Sequence, residues 1–180
     1  MADIKLNANP EKKHTITFSI QDAPGAFSLA KAFATYDIAD KTCLPPADNF
    51  QGVQMAKSAF TLPLELVKSA GDSYVATVAE DAIADSDLYG QGICHWKLTS
   101  AHIRLSASGR SEDTSYVAAL PSGDAAEART LTLYYLKSSY PSLGSKSPPD
   151  HGIEDVALLN PAVPAAGWFT ITVSSTELTP

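Results

Sequence analysis

The chain has 180 residues and is sparing with several residue types and patterns, each of which excludes some chemistry. It has two cysteines, Cys43 and Cys94, too far apart for a CxxC redox pair and too few to fill a structural zinc site. Two tryptophans, Trp96 and Trp168, leave little material for a sugar-binding platform. No apolar run reaches the length of a membrane-spanning helix, and no signal peptide is visible. No P-loop or GxGxxG is present, so phosphate and dinucleotide sites lack their signatures. No GxSxG elbow supports a serine nucleophile. Lys and Arg number 13 against 20 Asp and Glu, a net charge of −7 that argues against nucleic acid.

What is present reads as one folded domain over residues 1–180. Hydrophobic content is 44% and charge 18%, outside the range of a disordered chain. The hydrophobic rhythm is mostly of period two. His14, Ile16, Phe18 and Ile20 alternate with Thr15, Thr17 and Ser19, the pattern of a half-buried strand. Residues 32–39 read as a second strand, stopped by Pro45 and Pro46. Residues 49–59 read as loop. Leu62, Leu64 and Leu66 alternate around Pro63, which marks an edge strand, and residues 62–78 read as a hairpin turning at Ala70-Gly71-Asp72. Further strands are expected at 115–120, at 130–137 and at 169–173. The second of these is apolar on both faces and is expected in the middle of a sheet. Residues 138–152, rich in Ser, Pro and Gly, read as a long loop.

The run 93–107 is the most telling. Cys94, Trp96 and Leu98 share one parity, whereas Ile103, Leu105 and Ala107 share the other. A strand cannot change parity without turning its side chains over, so an irregularity is expected between Thr99 and His102. A β-bulge would supply it, as would a strand passing between two sheets. About eight strands and no convincing long helix predict an all-β protein. The expected fold is an antiparallel β-sandwich of immunoglobulin-like or related topology, although the Cys–Trp–Cys spacing of true immunoglobulin domains is absent.

The cysteines admit two readings, a disulfide or two buried thiols. We expect the disulfide, which would close a loop of roughly fifty residues and stabilise by about 4 kcal/mol at most. Such a bond needs an oxidising compartment. The chain opens on Met1-Ala2-Asp3 and polar residues, as a chain does once a secretory or lipoprotein leader has been removed and replaced by an initiator Met. The expected location is therefore the periplasm or cell envelope, with a lipid anchor on the native precursor as an open alternative and no membrane span.

Four histidines offer no ligand spacing. His95 and His102 fall on opposite faces of a regular strand, and no metal site or cofactor is expected. The sharpest candidate is the acidic segment before the Trp96 strand, with Glu80, Asp81, Asp85, Asp87, Leu88 and Tyr89. Its carboxylates lack the turn glycine and spacing of a tight calcium loop. Three readings compete: a solvated connection, a calcium loop, and a partner-binding loop. In the last, Asp81, Asp85 and Asp87 attract a cationic surface while Leu88 and Tyr89 anchor it.

Tyr36-Asp37-Ile38, Cys43-Leu44-Pro45 and Gly92-Ile93-Cys94-His95-Trp96-Lys97-Leu98 together resemble segments of small periplasmic or lipoprotein-like immunity proteins, the partners of antibacterial toxins delivered by secretion systems. The resemblance covers roughly residues 36–105. It implies a non-catalytic β-sandwich that occludes a toxin's active site, and it carries over no functional residues. The alternative is a carbohydrate- or ligand-binding sandwich module, and a hydrolase with an unrecognised site is a third reading.

Overall fold

A computed structural model describes residues 3–46, 56–121, 129–144 and 147–178. The predicted loop at 49–59 therefore lies largely outside the described residues. Among the described residues, nine strands form two antiparallel sheets packed face to face. The first sheet has the order β4 (Leu66–Lys68), β5 (Ser73–Ala79), β1 (Lys13–Gln21), β9 (Trp168–Glu177), β8 (Thr130–Leu136). The second runs β3 (Ala59–Leu64), β2 (Leu29–Ile38), β6 (Trp96–Ser106), β7 (Tyr116–Pro121).

The core follows the alternation in the sequence. Ile16, Phe18 and Ile20 of β1 and Ile171 and Val173 of β9 face inward from one sheet. Ala32, Ala34 and Tyr36 of β2 and Ile103 and Leu105 of β6 meet them from the other. At one end Phe27, Tyr116, Tyr135 and Phe169 pack ring on ring, with centroids 5.2–6.0 Å apart. The Tyr135 hydroxyl donates to the Val117 carbonyl at 2.9 Å, so its polar tip is satisfied inside the core.

The irregularity expected in the Trp96 strand is a bulge. Thr35 pairs with Ser100 and Tyr36 with Leu98, which leaves Thr99 as the extra residue. Leu98 is buried before it; Ala101, Ile103 and Leu105 are buried after it, on the opposite parity. One added residue thus keeps both halves of the apolar pattern facing the core.

Two strand expectations are corrected. Only Leu66–Lys68 pairs with β5, opposite Ala76, Val75 and Tyr74. Leu62 and Leu64 pair instead with Ala34 and Ala32 of β2, in the other sheet. The chain changes sheets at Glu65, so one predicted strand becomes two and the described residues hold nine. Pro63 sits in the outermost strand, the place where a sheet tolerates a residue without an N–H. The second correction concerns β8, which is an edge strand and not a central one. Its outer edge is paired just beyond the predicted loop: Ile153 and Tyr134 exchange backbone hydrogen bonds at 2.9 and 3.0 Å. The same stretch bonds to the edge of the second sheet, where Val117 N–H donates to the Asp150 carbonyl at 2.8 Å. This strap covers the free edges of β7 and β8 together.

Candidate functional site

The acidic segment joins β5 to β6 at one end of the sandwich, and it contains no strand of its own. Glu80 follows directly on β5. Its Oε1 lies 2.7 Å from Nε2 of His14, which is 3% exposed. Among the described residues the other ring nitrogen, Nδ1, is buried without a partner. A polar residue at the head of an otherwise apolar inward face was the signal for this pair in the sequence.

Asp81 pins the N-terminal arm. Its carboxylate accepts from the N–H groups of Glu11 (3.0 Å) and Lys12 (3.2 Å), and Asn7 Nδ2 donates to its backbone carbonyl at 2.9 Å. Burial pushes the carboxyl up, but these N–H groups outweigh it and hold the group below the ordinary carboxylate range. Leu6 bridges to Ile83, whose side chain enters the main core. Beneath this point the Tyr36 hydroxyl donates to the Ala79 carbonyl at 2.6 Å. Burial, reinforced by the Asp81 charge, pushes that phenol up to about 12.

Asp85 is exposed and closes the segment from its far end. It accepts from Trp96 N–H at 3.0 Å through one oxygen, and the other oxygen lies 2.6 Å from His95 Nδ1. Asp87 Oδ1 accepts from the N–H of Gly90 (2.6 Å) and Tyr89 (3.3 Å), which makes a tight turn. Gly90 and Gly92 both have positive φ, +71° and +112°. Leu88 and Tyr89 are half-buried and pack against a small second cluster around Ile38, Cys43, Leu44 and Cys94. The Tyr89 hydroxyl donates to the Lys57 carbonyl at 2.8 Å.

Cys43 and Cys94 form the expected disulfide, with Cα atoms 5.3 Å apart. It ties the turn after β2 to the end of the acidic segment. The bond and the β-sandwich fit an oxidising, extracytoplasmic compartment.

The segment, the N-terminal arm and the start of β6 enclose a half-open cleft of about 500 Å³. Glu80, Asp81, Asp85, Lys12, Lys97 and Trp96 line it. Acidic and basic residues therefore share the lining of the cleft. Of the predicted partner-binding residues, the structure places Asp81 and Asp85 on this cleft. It places Leu88 and Tyr89 on the disulfide cluster and Asp87 in the turn between. Glu80, also of the predicted acidic segment, lines the cleft too, whereas Asn7, Lys12 and Lys97 are polar lining residues that the sequence did not single out.

The other candidates are occupied elsewhere. His102 stacks on Phe33 at 5.4 Å, and burial, helped by Arg104 and His151, lowers its pKa. Ser139 is buried and donates to the Leu136 carbonyl at 2.7 Å. Among the described residues no group of three or more His, Cys, Asp or Glu is placed to hold a metal ion. No helix among the described residues is long and apolar enough to cross a membrane. No protein-family profile, curated protein or solved structure matches this chain.

Proposed function

We propose that this protein is a non-enzymatic binding domain of the cell envelope, most concretely a periplasmic immunity protein that binds and blocks a secreted antibacterial toxin. The observation that carries this reading is the fixed acidic segment at one end of the sandwich. Asp81, Asp85 and Asp87 each accept backbone N–H groups, and Leu88 and Tyr89 rest on a disulfide. A surface already ordered loses little entropy when a partner docks. The exposed carboxylates of Asp85 and Asp87 attract a cationic groove at long range and speed encounter. Tyr89 offers its ring, since its hydroxyl already serves Lys57.

The test is binding to the secreted protein encoded beside this gene. Tyr89→Ala is expected to cost about 2 kcal/mol, mainly through faster dissociation. Asp85→Asn with Asp87→Asn removes charge while leaving oxygen acceptors for the backbone. That pair is expected to slow association and flatten its salt dependence. Unchanged rates in folded variants would remove the segment from the interface.

A second reading, a carbohydrate- or ligand-binding module, draws on the cleft. Its size falls within the range of small-molecule sites, and Trp96 stands among charged groups that can bond hydroxyls. Saturable quenching of tryptophan fluorescence by a saccharide, with no binding of the toxin, would favour it.

A further inference from the structure

The disulfide lies outside the main core. Among the described residues, the second cluster has four buried members, Ile38, Cys43, Leu44 and Cys94, so half of them are the bonded cysteines. Ile83 is the last residue of the acidic segment to enter the main core, and the chain rejoins that core only through Trp96 and Leu98. The segment therefore has two parts. Residues 80–84 belong to the sandwich, through Ile83, the Glu80–His14 contact and the Leu6 bridge. Residues 85–95 belong to the disulfide. Apart from it, they are tied by the Ser86–Cys94 bridge, the Asp85 bonds to His95 and Trp96, the Tyr89–Lys57 bond and Ala39 N–H to the His95 carbonyl. Most of these are local or lie at the end of the β2–β6 ladder. Gly90 and Gly92 raise the entropy that must be lost to order the stretch.

We propose that the Cys43–Cys94 bond switches this surface on: the reduced chain folds its sandwich but leaves residues 85–95 unformed, and oxidation sets them. In the oxidation two S–H bonds break and one S–S bond forms. Two electrons and two protons pass to a disulfide oxidant, which leaves as its dithiol. The sandwich needs no crosslink, because a domain of this size buries an ample core. The functional consequence rests on the partner-binding reading. A chain still in a reducing compartment would be folded yet unable to bind, and competence would begin where thiols are oxidised.

The experiment compares hydrogen exchange in three samples: the oxidised protein, the wild-type chain refolded under excess dithiothreitol, and Cys43→Ala/Cys94→Ala. The informative amides are those of residue 94, bonded to the Ser86 carbonyl, and Ala39, bonded to the His95 carbonyl. In both samples that lack the disulfide their protection is expected to fall roughly a hundredfold, while the amides of β1 and β9 stay slow and native-like. Loss of the whole sandwich in both samples would overturn the proposal, and so would undiminished protection at residue 94. Where the two samples disagree, the reduced wild type decides, since it changes no side-chain volume. The readout needs no partner. A toxin that fails to bind the oxidised protein would defeat the proposed function and leave this result standing.

Discussion

Thr99 has no pairing partner on β2, yet its hydroxyl donates to the Thr35 carbonyl across the bulge at 3.1 Å. The residue that breaks the ladder thereby satisfies the carbonyl next to the break. Thr99→Val keeps the β-branched shape and removes the donor. It is expected to lower stability by about 1 kcal/mol, read as a lower urea midpoint with an unchanged slope. An unaltered midpoint would mean that water serves the Thr35 carbonyl equally well.

Gly152 is the tight point of the strap that covers β7 and β8. Its φ is +69°, and a Cβ there would lie 2.7 Å from the Tyr135 ring and 3.0 Å from Leu133 Cβ. Both neighbours belong to the packed core, so neither has room to yield. Gly152→Ala is expected to cost about 2–3 kcal/mol. The amides of Tyr134 and Val117, bonded to Ile153 and Asp150, should exchange faster in the variant. A variant as stable as the parent would show that the strap is not seated on Tyr135.

Asp81 makes the hold on the N-terminal arm dependent on pH. Its folded pKa lies below the ordinary carboxylate value, so the folded state favours the charged form. The stabilisation is complete above about pH 4, the unfolded value, and fades as pH falls through the lower folded pKa. The amides of Glu11 and Lys12 are therefore expected to lose protection below that pH while the strands stay protected. Asp81→Ala should show the same loss at neutral pH. Protection that is independent of pH in the parent would assign the hold on the arm to its backbone bonds at Lys5, Asn7 and Lys12 and to the Leu6 bridge.

Most of the layered architecture was legible in the residues. The alternation of His14 through Ile20 marked β1, and the parity reversal between Leu98 and Ile103 marked the bulge, because a side chain's face follows from its place in a strand. Sheet membership was not legible. Leu62, Leu64 and Leu66 form one alternating run, and nothing local announces that Glu65 divides it between two sheets. Nor could β8, apolar on both faces, be told from a central strand, since the backbone that pairs its outer edge at Ile153 comes from beyond the following loop.

The acidic segment divides in the same way. Composition alone concentrated carboxylates and an aromatic between β5 and β6, and the scarcity of cysteine left a single pairing for Cys43. Tertiary structure alone decided what each carboxylate does. Glu80 meets His14, Asp81 meets Glu11 and Lys12, and Asp85 meets His95 and Trp96. A charge pattern specifies attraction at a distance, whereas a hydrogen bond requires two groups within about 3 Å. For Asp81 and Glu80 those partners lie some seventy residues away, and only the closing of the sheets brings them there.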